Sequence, residues 1–207
     1  MTNNDCLFDE YGRCIPRNNI HPVYKKSRRY FTIEPIEVNY QDIYDRIKKF
    51  LYVNNDISIS EFTNRAEKIL DRLRKDSTTK NIVNGIGVPF FLPKNNHSST
   101  GKDIGKDLID YYIKALSKSF IDKNPGYEFV NHCIENLSNQ IRINPNSRHE
   151  KIIDLMKEEV VVGYYFPCML EYSFKAAIES INNFPNNFLL AGGFDTCAAF
   201  IGSPNLL

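Results

Sequence analysis

Two short patterns constrain this chain more than anything else in it. Ser58-Ile-Ser-Glu61 and Ser147-Arg-His-Glu150 each set a serine three residues ahead of a glutamate, directly before an apolar run. In such a capping box the serine oxygen and the glutamate carboxylate satisfy backbone amides that a helix start leaves free. Behind Ser58, the residues Phe62, Ala66, Ile69, Leu70 and Leu73 fall on one helical face, which predicts a helix through about Lys75. Behind Ser147, the residues Ile152, Ile153, Met156 and Val160 do the same and predict a helix over 148–161.

The same period recurs along the chain. Tyr40, Ile43, Tyr44, Ile47, Phe50 and Leu51 share a face, as do Ile104, Leu108, Tyr111, Tyr112, Ala115, Leu116 and Phe120. Val130, Cys133, Ile134, Leu137 and Ile141 predict a further helix, ended by Asn144-Pro145. Pro167 suits a first helical turn ahead of Leu170, Phe174, Ala177, Ile178 and Ile181. A short apolar helix is expected from Thr196 to Ile201.

Between these elements the pattern lapses twice. Residues 1–28 lack periodicity and read as an extended arm, closed by the basic run Lys25-Lys-Ser-Arg-Arg29. Two short strands fit at Tyr30–Ile33 and Ile36–Val38, although Pro35 between them argues for a sheet edge or simple extended chain. Residues 76–102 form an irregular stretch with Gly85, Gly87, Pro89 and Pro93, ending in the polar loop Asn95–Gly101. Neither a repeat nor a linker is visible. The expected architecture is therefore all-α, a single domain over 1–207. It is an orthogonal helical bundle, since no heptad persists, with an irregular N-terminal arm and room for the two short strands.

Charge and cysteine usage narrow the setting. The formal net charge is +1, so no strong field for nucleic acid or an anionic membrane is expected, and neither is an expected partner. No apolar run reaches the roughly 18–20 residues needed to span a bilayer. The polar start Met1-Thr-Asn-Asn-Asp5 does not resemble a secretory signal. Five scattered cysteines read as reduced thiols, so the expected location is cytoplasmic, in the producing cell or in a host cell.

Several motif readings fail on their spacing. Cys6, Cys14 and His21 match no short zinc knuckle and lack an evident fourth ligand. His132 and Cys133 are helix neighbours about 100° apart, which rules out a nucleophile–base pair between them. Ser98-Ser-Thr-Gly-Lys102 is no phosphate loop, because Asn96 stands where the first glycine belongs and Asp103 follows the lysine. Thr100 reads as a helix cap instead.

The C-terminal segment carries more. Ala191-Gly-Gly-Phe-Asp-Thr-Cys-Ala-Ala-Phe-Ile-Gly-Ser203 resembles the closing motif of ADP-ribosylglycohydrolases, Gly-Gly-Asp-x-Asp-Thr-x-Ala-Ala-x-x-Gly-Ala. The preceding Tyr172-Ser-Phe-Lys-Ala-Ala-Ile178 is similar to the family's Ser-Phe-x-x-Ala element. The resemblance implies a ligand-binding strip at Gly192, Gly193, Asp195 and Thr196, with Asp195 and Thr196 as oxygen ligands to magnesium. It implies an ADP-ribosyl ligand, bound or hydrolysed by a divergent or degenerate member. The chain departs from the family at Gly193, which stands where the first motif aspartate belongs. It also lacks the family's Gly-Asp-Ala-x-Gly and Thr-Asp-Asp-Thr segments. Asp103 and Asp107 are the carboxylates available to substitute. The alternative expectation is a non-enzymatic helical interaction module, a viral, effector or regulatory adaptor that binds a protein partner.

Overall fold

The computed structural model describes residues 6–16, 35–52, 57–94, 103–132, 136–170 and 172–207. The chain is mostly helical, with one two-stranded antiparallel sheet. The basic run at Lys25–Arg29, His21, Cys133, the expected strand at 30–33 and the loop at 95–101 lie outside the described residues. No helix among the described residues is long and apolar enough to cross a membrane.

The helices are α1 (Tyr40–Leu51), α2 (Ile59–Lys75), α3 (Ile104–Asp107), α4 (Lys114–Lys123), α5 (Arg148–Glu158), α6 (Phe174–Ile181) and α7 (Gly193–Gly202). A π-helical segment, Leu108–Ile113, carries α3 into α4 without a break. The strands are β1 (Val88–Leu92) and β2 (Val161–Tyr165). Both serine caps form as the sequence predicts. Ser58 Oγ accepts the Glu61 amide at 3.1 Å, and Ser147 Oγ accepts the Glu150 amide at 3.2 Å.

Several sequence expectations are corrected. No strand forms at Ile36–Val38, where the backbone is irregular, and the sheet forms instead from Val88–Leu92 and Val161–Tyr165. Every residue of β1 is buried, so an apolar run without alternation was a covered strand rather than a loop. The helix expected around Val130–Ile141 is absent from its described residues. Asn139 there adopts φ +60°, and its amide donates to Asp103 Oδ1 at 2.9 Å, beside the Ser138 hydroxyl on Oδ2. Those bonds hold the segment to the start of α3, where Asp103 is the cap; Thr100 lies outside the described residues. Helix α5 stops at Glu158, short of Val160, and α6 starts at Phe174 behind the Ser173 cap rather than at Pro167.

The chain forms two compact units, each assembled from separate segments. The first comprises Met1–Val38, Ala66–Val88 and Phe166–Leu190. Residues 6–16, expected as part of an extended arm, make a tight hairpin in it with a Phe8–Cys14 bridge and Gly12 at φ +75°. Leu7, Phe8 and Cys14 are core residues, and Phe8 packs its ring on Phe184 and Phe188 at 5.3 Å and 6.2 Å. The Leu7 amide donates to the Thr78 carbonyl, and the Asn81 side chain donates to the Phe8 carbonyl.

The second unit comprises Asn39–Arg65, Pro89–Tyr165 and Ala191–Leu207. Helix α7 lies at its centre, with Ala198, Ala199 and Ile201 fully buried. A side chain at Gly202 would come within 2.8 Å of Ile43, so this glycine lets α1 lie close against α7. Buried Arg46 fastens the same contact, donating to the Ser119 carbonyl and hydroxyl at 2.6 Å and 2.8 Å. Ser119 Oγ in turn donates to the Ile201 carbonyl at 2.7 Å, so the last turn of α7 is held by a satisfied polar network.

Candidate functional site

The start of α7 is built around missing side chains. Gly192 is its N-cap, with extended backbone (φ −102°, ψ −170°) that any residue can adopt. The glycine is needed for room. A Cβ there would lie 2.9 Å from His149 Nε2 and 3.2 Å from Asp195 Oδ1. At Gly193 a Cβ would lie 2.9 Å from both terminal methyls of Leu108.

Asp195 sits in the third position of the helix, and its Oδ1 accepts the Gly192 amide at 2.8 Å. This is one arm of a capping box. The reciprocal arm cannot exist, because Gly192 has no side chain to accept from the Asp195 amide. Asp195 is only 7% exposed. Burial pushes its carboxyl above the ordinary value, opposed by its own amide, by His149, and by the amides of Gly192 and Thr196. Burial also raises the neighbouring Cys197 thiol, to about 12, with Asp195 adding to it.

Next to Asp195, Phe194 stacks on Tyr112 with ring centroids 4.4 Å apart and planes 20° from parallel. Tyr112 belongs to the π-helical segment. Burial drives its phenol well above the usual range, reinforced by Cys197, Asp107 and Asp195. π-Helical turns interrupt α-helices mainly where a side chain must be re-aimed, frequently at functional sites. Here the segment carries both Leu108, which abuts Gly193, and Tyr112, which covers Phe194.

Leu108, Gly192, Gly193, Phe194 and Asp195 border a cavity of about 270 Å³ lying wholly within the second unit. Its apolar walls come from Ile104, Leu108, Ile141, Ile152, Ile153 and Phe194. Its polar side chains are Arg142, Asn144, Ser147, His149 and Asp195. The Nε2 atom of His149 is buried and has no hydrogen-bond partner among the described residues. An unmet buried nitrogen of this kind costs roughly 1–3 kcal/mol, so its persistence calls for a reason.

Of the four residues that the C-terminal motif nominates, Gly192, Gly193 and Asp195 line this cavity, and Thr196 does not. Asp195 and Thr196 are neighbours on a helix and point about 100° apart, so the cavity receives one and not the other. Asp103 is taken up by its cap and by Ser138 and Asn139, whose hydrogen bonds hold its carboxyl low. Asp107 is buried, 2% exposed. Sequence reasoning missed His149 as a site residue. Its only signal was its place inside the Ser147–Glu150 cap, which the capping argument fully accounted for.

The donor set does not fit a magnesium pair. Asp195 is the cavity's single carboxylate, one of its oxygens is engaged by the Gly192 amide, and burial favours its neutral form. Each magnesium ion takes about six oxygens. Among the described residues no three histidine, cysteine or acidic side chains are grouped to hold an ion. Two of the described residues outside the cavity are otherwise placed. Cys6 Sγ donates to the Phe8 and Thr78 carbonyls, and His132 is exposed.

No family model, curated protein or solved structure matches this chain.

Proposed function

We propose that the cavity over the start of α7 binds a small organic ligand of the ADP-ribosyl class, and that the protein is a binding, degenerate form of the glycohydrolase-like design. The observation that carries this reading is the convergence of Gly192, Gly193 and Asp195 on one largely apolar cavity with a few polar groups. Apolar walls with sparse polar groups are the usual make-up of small-molecule sites. The volume of about 270 Å³ lies near the lower end for such sites. It suits a nucleoside-sized portion, with the remainder of the ligand reaching the mouth near Arg142. In this reading the isoleucine walls cover the base, Asp195 and His149 meet ribose hydroxyls, and Arg142 faces phosphate. No step is routed through magnesium, because the donor set does not fit it. The proposed setting is cytoplasmic, of the producing cell or of a host.

A thermal-shift screen of ADP-ribose, adenosine, AMP and Mg²⁺ tests the reading, since a ligand that binds only the folded state raises apparent stability. A concentration-dependent rise with ADP-ribose or adenosine, reduced in His149→Gln and Asp195→Asn, supports it. A flat response to all of them retires it.

A second reading rests on a separate observation in the first unit. Phe174 and Ile178 stand one turn apart on α6 and are 77% and 39% exposed, and Leu170, in the turn ahead of the helix, is 39% exposed. An exposed apolar stripe of this kind favours a protein-interaction module. Loss of concentration-dependent self-association or of partner binding in Phe174→Glu, with unchanged helix content, supports it. Indifference to that substitution counts against it.

A further inference from the structure

Two cysteines of the first unit, distant in sequence, meet backbone to backbone. The Cys14 amide donates to the Cys168 carbonyl at 2.8 Å. A direct backbone bond of this kind brings the two residues close to the roughly 4.4–6.8 Å Cα separation that a disulfide spans. Both residues also line the same cavity of about 30 Å³. The two thiols are close enough for Cys14 to perturb Cys168 electrostatically.

Both backbones are also fixed in place. The Tyr172 hydroxyl donates to the Cys14 carbonyl at 3.0 Å, and Cys14 bridges to Phe8 across the hairpin. The Cys168 amide donates to the Phe166 carbonyl at 2.8 Å. Both cysteines are thiols in this state. Cys14 is 1% exposed, and Cys168 is the less buried residue of the two.

The geometry points to Cys14 and Cys168 as an oxidisable dithiol that closes to a reversible disulfide under peroxide, stapling the 6–16 hairpin to the segment that follows β2. In the first step the Cys168 sulfur attacks hydrogen peroxide. An S–O bond forms, the O–O bond breaks, and the thiol proton leaves with one water. In the second step the Cys14 sulfur attacks the resulting sulfenic acid. The S–S bond forms, the S–O bond breaks, and the second thiol proton leaves with a second water. Two thiols are oxidised by two electrons and one peroxide is reduced to two waters. Burial pushes the Cys168 thiol well up, with Cys14 adding to it, so little thiolate is present and the reaction is slow. The pair is thus inert under ordinary reducing conditions and closes under sustained peroxide, the pattern of transient cytosolic disulfides.

The test is a hydrogen peroxide titration followed by alkylation and non-reducing peptide mapping. The expected result is a Cys14–Cys168 linked peptide that dithiothreitol removes, accompanied by a higher melting temperature. Cys6→Ser keeps the link. Cys168→Ser abolishes it, and Cys14→Ser leaves Cys168 as sulfenic or sulfinic acid. The wild-type map decides by itself if either variant fails to fold. Absence of the link at peroxide doses that oxidise the methionines, or capture of Cys168 by Cys6, Cys133 or Cys197 instead, overturns the proposal.

Discussion

His149 Nε2 and Asp195 Oδ1 face each other across the space that a Gly192 side chain would fill, 2.9 Å and 3.2 Å from where its Cβ would stand. The glycine therefore keeps an imidazole and a buried carboxyl close together, and both border the same cavity.

Gly192→Ala tests that relationship. The backbone at 192 tolerates alanine, so the only objection is steric. The new methyl must displace the His149 ring or the Asp195 carboxyl. The expected loss is about 1–3 kcal/mol in chemical denaturation, the usual range for overpacking. A variant as stable as the wild type would mean that the imidazole moves aside at no cost and that the close approach is incidental.

Asp195 should make stability depend on pH in a specific direction. Its carboxyl is raised in the folded state from an ordinary value of 3.8, so the folded state holds that proton more tightly than the unfolded chain does. Stability from this group is therefore fully present below the unfolded value and is lost as pH rises through the folded one. Asp195→Asn keeps an oxygen for the Gly192 amide and removes the titration. The variant should gain on the wild type as pH is raised from about 4 towards neutrality, and converge with it in acid. Denaturation midpoints at a series of pH values measure this. A wild type that instead gains on the variant with rising pH would mean that hydrogen bonding outweighs burial at Asp195.

Much of the helical frame was legible from local chemistry. The Ser58 and Ser147 caps and the apolar faces behind them located α2 and α5, and the periodicity of Tyr40–Leu51 matches α1 to its ends. Tertiary context decided the rest. Val88–Leu92 carries glycine and proline signals that read as loop, yet full burial and pairing with β2 make it a strand. Around Leu137 the apolar spacing is helical, but the backbone there is committed to capping α3. Of the cavity, the α7 side could be read from a motif. The α5 side could not, because His149 becomes informative only once folding sets it against Gly192.

Gly105→Ala probes that misread segment directly. A Cβ at buried Gly105 would fall 1.8 Å from the Leu137 carbonyl oxygen, a backbone atom that no rotamer change can move. The loss should reach or exceed the upper end of the roughly 1–3 kcal/mol typical of overpacking, read as a lowered denaturation midpoint. If the variant is as stable as the wild type, the 136–139 segment is not fixed to α3.

The central claim is that the cavity over the start of α7 receives a ligand of the ADP-ribosyl class. Filling that cavity tests it most directly. Ile152 lines it from α5, and Ile152→Trp occupies much of its volume while leaving Gly192, His149 and Asp195 in place. The measurement is titration calorimetry with ADP-ribose and with adenosine, on wild type and Ile152→Trp matched for helix content and cooperative melting. Saturable binding to the wild type, lost or weakened at least tenfold in the filled variant, is the predicted result. No heat of binding to the wild type, or equal affinity in both proteins, would contradict it.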